Sequence, residues 1–311
     1  MINGKPSEIF RIIENMLDSE DNVLTVSQLC KLAGVSRSGY YKYKKTKPVR
    51  IAREMADSED FKLIKEAFNF KGYDKGAKGI HMRLLRMGKR MNVKKIRRLM
   101  KKYNLICPIR EANPYRRMAK AMRTDNVFDN SLNREFKALG PRMALMTDIT
   151  YISKEDGFCY LSTIIDGYTK QILSYVLSDS LELDFVLETI EILMKTHGEE
   201  LTKDTIIHSD QGSHYTSYKF IDVLKDNELR QSMSRRGNCW DNAPQESFFG
   251  HMKSELRLSK KMTYDEIKDA IEAWIDYYNN DRYQWQLGKL SPNEYYEYIT
   301  TGYSPLLEID I

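Results

Sequence analysis

The sequence predicts an α/β domain, built on a mixed five-stranded sheet with helices on both faces, that follows an all-α helix-turn-helix region. Residues 25–45 and 78–103 space their apolar side chains as helices do, whereas residues 144–233 alternate strand-like and helix-like runs. Charge divides the chain in a similar way. Residues 31–123 contain 28 Lys and Arg against 7 Asp and Glu, although the net charge of all 311 residues is only +5.

The first helix-turn-helix candidate spans residues 25–45. Its first helix has apolar side chains at helical spacing, namely Val26, Leu29, Cys30 and Leu32. A turn at Ala33-Gly34-Val35 leads to a second helix over residues 37–45, which Ser36 caps. Four side chains of that helix are expected to reach a DNA major groove: Arg37, Ser38, Tyr41 and Lys42. A trihelical protein-interaction module is the alternative.

The second candidate spans residues 78–103, with helices over 80–87 and 93–102, a break at Gly88 and a cap at Asn92. The later helix has one apolar stripe and an otherwise cationic surface, from which four residues are candidate DNA contacts: Lys94, Lys95, Arg97 and Arg98. Residues 110–124 have no clear periodicity and are interpreted as a basic linker. Excess positive charge of this size is typical of nucleic-acid binding, because neutralised phosphates release counterions. A solvated helical surface is the alternative.

The predicted α/β domain begins with three strands joined by tight turns, which form an antiparallel meander. These strands cover residues 144–153, 158–165 and 171–177. Helices then alternate with two short strands. The helices are predicted over 184–196 and 217–225, and the strands over 205–208 and 230–233. A helix around Glu246, a helix over 264–278 and a short helix from Ser291-Pro292 complete the chain.

Three carboxylates occupy distinctive places in this pattern. Asp148 lies within an apolar strand, where a charge needs a partner or a metal ion. Asp210 follows the carboxyl end of a strand, and Glu246 lies in the first turns of a helix, with 35 residues between the two. Carboxylates from three segments can bind two divalent ions roughly 3.5–4 Å apart and promote phosphodiester chemistry. Each could instead be an ordinary surface residue.

Lys253 follows Glu246 by seven residues, so the two side chains are expected to share one helix face and Lys253 to contact DNA. An ordinary exposed lysine is the alternative. Asp166 is assigned to capping a turn rather than to binding a metal. His208 and His214 flank Asp210 and are expected to make local hydrogen bonds.

Ordered motifs along most of the chain resemble those of one family. They are Thr147-Asp148-Ile149-Thr150-Tyr151, His208-Ser209-Asp210-Gln211-Gly212-Ser213, Asn242-Ala243-Pro244-Gln245-Glu246-Ser247-Phe248-Phe249 with Lys253, and Tyr278-Asn279 followed by Arg282 and Ser291-Pro292. Together they resemble the second reading frame of the transposases of bacterial insertion sequences of the IS-three family. This family has a retroviral-integrase-like core with a D, D, 35, E pattern.

The resemblance implies a ribonuclease-H type core that binds element ends and catalyses DNA cleavage and strand transfer. It implies that Asp148, Asp210 and Glu246 are catalytic and hold two Mg²⁺ ions, with Mn²⁺ as a possible substitute, and that Arg282 lies near DNA. Double-stranded DNA, further copies of the chain and an upstream-frame protein or fusion are the implied partners. Alternatives are a DNA-binding regulator with an inactive core and a non-specific ribonuclease-H-like nuclease. Packing is the alternative for the aromatic residues around Arg282.

The expected domains are a helix-turn-helix over 1–48, a second basic helical region and linker over 49–124, the catalytic core over 125–262 and a helical extension over 263–311. Four scattered cysteines fit no zinc pattern, and Cys30 and Cys159 are expected in core positions. The sequence shows no signal peptide and no apolar run of about 20 residues, so a cytoplasmic location without membrane contact is expected. The family resemblance implies a bacterial, nucleoid-associated one.

Overall fold

A computed structural model describes residues 5–73, 75–108, 139–234 and 243–306. The chain divides into two compact units, and the division along the sequence falls between residues 65 and 66. The predicted linker over 110–124, Cys239 and Asn242, the first residue of the motif around Glu246, lie outside the described residues. No helix within the described ranges is long and apolar enough to cross a membrane.

The first unit is helical and confirms the first helix-turn-helix prediction. Its helices are α1 (Pro6–Leu17), α2 (Val26–Leu32), α3 (Arg37–Lys45) and the beginning of α4 (Lys47–Asn69). Ser36 caps α3 by accepting the Gly39 N–H at 3.0 Å, and Gly34 takes the positive φ that the preceding turn requires. Cys30 is buried as expected, but Leu32 is 70% exposed, so its assignment to the apolar face was wrong. The sequence did not predict α1 or α4.

The second unit begins with a helical pair that confirms the second helix-turn-helix prediction. The pair consists of α5 (Ala77–Arg86) and α6 (Val93–Lys102). Gly88 again has a positive φ between them, and the Asn92 side chain caps α6 by accepting the Lys94 N–H at 2.8 Å. Fully buried side chains join the two helices, including Ile80, Leu84, Ile96 and Leu99.

A five-stranded sheet follows within the described residues, in the order β3-β2-β1-β4-β5. Its strands are β1 (Ala144–Lys154), β2 (Gly157–Asp166), β3 (Ile172–Ser178), β4 (Ile206–Ser209) and β5 (Arg230–Met233). Pairing is antiparallel among the first three strands and parallel from β1 to β4 to β5. The predicted mixed sheet and its meander are therefore confirmed.

Helices cover both faces of the sheet. Successive residues of β1 point to opposite sides, so each face has its own set of β1 side chains. One side has Leu145 and packs against α7 (Asp184–His197) and α8 (Tyr218–Asp226). The other has Ala144 and Met146 and packs against α9 (Ala243–Glu255) and α10 (Tyr264–Asn280). Cys159 is buried on this second side, as expected. Because α10 shares this core, the predicted domain limit at residue 262 stays a proposal.

The last helix, α11 (Pro292–Thr301), is attached to the end of the sheet through a buried polar network. The Arg142 guanidinium donates to Asp166 at 3.0 Å, to Gln171 at 2.7 Å and to Glu200 at 2.6 Å. The Gln171 amide then donates to Asn293 in α11 at 2.8 Å. Nothing in the sequence pattern marks Arg142 for this role, because its three partners lie 24, 29 and 58 residues further along the chain.

Candidate active site

The parallel pairing of β1 with β4 brings the two aspartates together. Met146 pairs with His208 at the end of this short ladder. Asp148 and Asp210 each lie two residues beyond this last pair, Asp148 within β1 and Asp210 just past the end of β4. Residues two apart in a strand face the same side, so Asp148 shares the side of Met146, which α9 and α10 cover. Both aspartates therefore belong to the same end of the sheet.

Backbone groups orient both carboxylates. Asp148 Oδ1 accepts the Ile149 N–H, and Asp210 Oδ1 accepts the Gly212 N–H, each at 2.8 Å. A Cβ at position 212 would lie 2.9 Å from Asp210 Oδ1, so any other residue there would displace this carboxylate oxygen. Asp148 is half-buried and Asp210 is exposed, which leaves their end of the sheet open to a ligand.

Tyr215 lies on the opposite side of the sheet, where its burial and the charges of both aspartates affect its pKa. Its side chain is buried, and its hydroxyl lies 3.5 Å from Thr147 Oγ1. Burial raises the pKa of Tyr215 well above its ordinary value, and the negative charges of Asp148 and Asp210 raise it further. This shared influence agrees with the placement of both aspartates at the same end of the sheet.

Glu246 approaches the same site on the first turns of α9. The neighbouring Gln245 is buried, and its Nε2 donates to the carbonyl oxygen and hydroxyl of Thr163 at 3.0 and 2.7 Å. Thr163 is the β2 residue that pairs with Asp148. Phe248 and Met252 continue the attachment by packing on the sheet. The fold thus holds the helix start beside Asp148, with Glu246 half-buried.

Within the described ranges, no three His, Cys, Asp or Glu side chains lie close enough together to hold one metal ion. The two aspartates belong to the same end of the sheet, and Glu246 is on the covering helix. Their donors are all carboxylate oxygens, which suit Mg²⁺ and Mn²⁺. The metal and catalytic roles of the three residues stay a prediction.

The residues excluded from the metal set make local contacts, as expected. Asp166 Oδ1 accepts the Tyr168 N–H at 2.8 Å, which confirms its role in the turn, and Oδ2 accepts from Arg142. His208 Nδ1 shares a hydrogen bond with Ser232 Oγ at 3.1 Å. His214 Nε2 lies 2.7 Å from the Leu181 carbonyl oxygen.

The two single basic residues predicted to contact DNA differ in surroundings. Lys253 is exposed on α9, two turns beyond Glu246. Arg282 is mostly buried, and its Nε and Nη2 donate to the Glu255 carboxylate at 2.8–3.1 Å. The sequence did not single out Glu255, which also accepts the Trp274 Nε1–H at 3.2 Å. DNA contact by Lys253 and Arg282 stays a prediction.

Both predicted recognition helices present their polar side to solvent. In α3, Tyr40 is buried, whereas four candidate residues are exposed: Arg37, Ser38, Tyr41 and Lys42. In α6, Lys94, Arg97 and Arg98 are exposed and Lys95 is half-buried. Around the Arg282 loop, Tyr295 stacks on Tyr168 at 6.1 Å and packs with Leu85 and Leu290. Packing thus accounts for that part of the aromatic patch.

Comparisons with known proteins agree with this architecture. Residues 139–239 and 227–292 each match a family model described as an integrase core domain, and residues 55–113 match an HTH-like domain. The putative transposase InsK for insertion sequence element IS150, from Escherichia coli (strain K12), is 32% identical over 273 residues, which cover 87% of this chain and 93% of the relative. An uncharacterized 31 kDa protein of insertion element IS600, from Shigella sonnei, is 31% identical and covers 86% of this chain and 97% of the relative.

Among solved structures, the catalytic core domain of BIV integrase covers 52% of this chain and 99% of its own, with a TM-score of 0.40 and 15% identity. The catalytic domain of Mos1 mariner transposase covers 43% and 70%, with a TM-score of 0.38 and 14% identity. The sheet, its covering helices and the matched models define an integrase core preceded by an HTH-like domain. The chain belongs to the transposases of bacterial insertion sequences, in the IS-three (IS3) family.

Proposed function

We propose that Asp148, Asp210 and Glu246 form the catalytic centre of a transposase that cuts the element's DNA ends and joins them to another strand. The observation that supports this most strongly is the parallel pairing of β1 and β4, because Asp148 and Asp210 follow its last pair, Met146 and His208, by two residues each. The anchoring of Gln245 on Thr163 adds Glu246 from α9.

The proposed cofactor is a pair of Mg²⁺ ions, with Mn²⁺ as a substitute. When bound, such a pair activates an attacking oxygen and stabilises the leaving oxygen of a phosphodiester. The role of the three carboxylates is to hold the ions, while the Ile149 and Gly212 N–H groups fix the orientation of the two aspartates. Convergence of three like charges costs energy that cations offset, so metal binding is expected to draw Glu246 towards the aspartates.

The proposed reaction has two in-line steps. Water attacks the phosphorus at the element end and leaves a free 3′-hydroxyl. That hydroxyl then attacks a phosphorus of another strand and displaces its 3′-oxygen. Neither step needs a covalent intermediate with the protein.

DNA is the partner of the HTH-like and core domains. The proposed contacts are Arg37, Ser38, Tyr41 and Lys42 on α3, Lys94, Lys95, Arg97 and Arg98 on α6, and Lys253 on α9. Arg282 is proposed to act near DNA while it holds Glu255. We also propose assembly of several copies on DNA, cooperation with an upstream-frame protein or fusion, and a location on the bacterial nucleoid.

The test is cleavage and strand transfer on a labelled duplex that carries the element's own end, with Mg²⁺ and with EDTA. Glu246→Gln and Asp210→Asn keep side-chain size but remove a negative charge, so both are expected to bind the duplex and give no product. Asp226→Asn, a matched change at an exposed site on α8, should cut as the wild type does. Cleavage by Glu246→Gln would refute the assignment, and binding without any metal-dependent product would favour a DNA-binding regulator.

A further inference from the structure

A cavity of about 310 Å³ lies in the second unit, where the first turn of α5 meets the ends of α9 and α10. Lys75 is buried in its floor, whereas Gly76, Lys78 and His251 are exposed at its mouth. Arg83 and Arg282 add two guanidinium groups to the wall. The lining is therefore rich in cations. Among them, the sequence pattern indicated a role only for Arg282.

Both carboxylates of the lining already have cationic partners. Arg282 binds Glu255 through two of its nitrogens. Lys71, outside the lining, pairs with Asp281 at 2.7 Å. The lining therefore has positive charge in excess of these two pairs.

The excess charge belongs to three residues whose described contacts are with neutral groups. Lys75 Nζ donates to the carbonyl oxygens of Phe70 and Tyr73. The Arg83 guanidinium lies 3.5 Å from the centroid of the Phe70 ring, and Lys78 Nζ lies 5.0 Å from that of Trp285. Such contacts position a cation without neutralising it, so an anion entering the cavity would meet uncompensated charge.

The cavity and the candidate active site lie along one helix. Glu255 is the ninth residue after Glu246 on α9, which corresponds to about 13.5 Å at 1.5 Å per residue. Lys253 occupies the same helix between them. One DNA strand advances roughly 3.4 Å per nucleotide along the duplex axis, so this distance spans about four nucleotides.

We propose that this cavity binds one backbone phosphate of the DNA strand that occupies the candidate active site, with Lys75, Lys78 and Arg83 as the neutralising groups. The inference rests on the proposed function, which brings DNA to α9. Small-molecule pockets range from roughly 300 to 1,000 Å³, so a cavity at the lower limit accepts a phosphate with its sugar and not a duplex. The bound phosphate holds the strand about four nucleotides from the reacting one.

Gly76 allows a sharp test of this site. Its backbone is unstrained at φ −71° and ψ 172°, and a Cβ built there meets nothing within 4 Å. Gly76 is also the N-cap of α5, a position that Asp and Asn both favour. Gly76→Asp therefore adds a negative charge at the mouth, and Gly76→Asn adds the same shape without the charge.

The measurement is fluorescence anisotropy of a labelled element-end duplex, in EDTA and over a series of salt concentrations. At low salt, Gly76→Asp is expected to bind at least about tenfold more weakly than Gly76→Asn, because like charges would face each other at the interface. Both variants should melt near the wild-type temperature. Equal affinity of the two variants would overturn the proposal.

A second pair of variants measures the phosphate contact itself. Lys78→Ala is expected to lower the dependence of log affinity on log salt by about 1, whereas Lys225→Ala, at an exposed lysine of α8, should leave it unchanged. Equal salt dependence in both would count against the site.

Calorimetry with inorganic phosphate alone distinguishes the two possible sources of the ligand. If phosphate binds the wild type and not Gly76→Asp, while both bind the duplex equally, the cavity takes free phosphate and the DNA proposal fails. Because EDTA prevents the chemistry, these results stay interpretable even if Glu246→Gln shows the catalytic assignment to be wrong.

Discussion

Replacement of Gln245 by leucine tests whether the start of α9 positions Glu246. Gln245 is fully buried, and its two hydrogen bonds to Thr163 attach the first turn of α9 to the strand beside Asp148. Leucine has a similar volume but no polar atoms. The change therefore removes the attachment while leaving Glu246 itself intact.

The expected loss of stability follows from the contacts. Each hydrogen bond contributes roughly 0.5–1.5 kcal/mol, so two contribute about 1–3 kcal/mol. Gln245 Oε1 is buried and has no hydrogen-bond partner among the described residues, so its removal offsets part of the cost. A net loss of about 2 kcal/mol lowers the Tm by roughly 4–8 °C for a unit of this size. Activity should fall further, because a misplacement of about 1 Å can cost roughly 100-fold in rate.

The assay is single-turnover cleavage of the element-end duplex, well below the melting temperatures of all variants. Leu193→Ala is the control: Leu193 is buried in α7 on the opposite side of the sheet, and its truncation costs about 2–5 kcal/mol. Gln245→Leu should lose about 100-fold in rate, whereas Leu193→Ala should stay near wild type. Cleavage at the wild-type rate by Gln245→Leu, despite its lower Tm, would refute the positioning argument.

Three further outcomes are expected. Arg282→Lys cannot form the two-nitrogen pair with Glu255, so it should lower the Tm, and a double-mutant cycle with Glu255→Gln should show coupling of about 1–3 kcal/mol; additive effects would argue that Arg282 acts elsewhere. Burial lowers the pKa of Lys75 to about 8, so the native state releases its proton before the unfolded chain does. Between pH 8 and pH 10, the free energy of unfolding of the wild type relative to that of Lys75→Met should therefore rise by roughly 2 kcal/mol, after allowance for solvent screening. Urea melts at several pH values measure this difference, and a flat profile would contradict the prediction. Tyr40→Ala should destabilise the first unit by about 3–5 kcal/mol because Tyr40 is buried, whereas the exposed neighbour Tyr41→Ala should weaken DNA binding with little change in melting.

The strands and caps could be predicted from the sequence because their causes are local. β5 has the predicted limits, and β1 differs from its prediction by one residue. The caps at Ser36 and Asn92 were predicted because a short polar side chain before a helix satisfies its free N–H groups. The position of Asp210 after β4 follows from the same local pattern.

The missed features depend on distant partners. The long helix α4 has an irregular distribution of apolar residues, because only part of it is buried. The Arg142 network joins Arg142 to Glu200, 58 residues away, and extends through Gln171 to Asn293. Lys75 has nearby partners, the carbonyl oxygens of Phe70 and Tyr73, but its burial depends on how the chain turns after α4. Gln245 is part of the sequence motif around Glu246, but its role depends on Thr163, which lies beside Asp148 on the neighbouring strand. Charge counting located the basic region but could not show which cations line one cavity.

The three carboxylates are held by forces of different range, and this difference bears on how the site works. Asp148 and Asp210 follow the hydrogen-bonded ladder of β1 and β4 by two residues each, whereas Glu246 depends on how α9 packs on the sheet. Gln245 holds the start of α9, and at its end Glu255 is held by Arg282 and Trp274. Because both attachments belong to one helix, we expect a displacement of the cavity end of α9 to reach Glu246. A DNA strand bound along α9 would then act on the one carboxylate of the three that a helix carries.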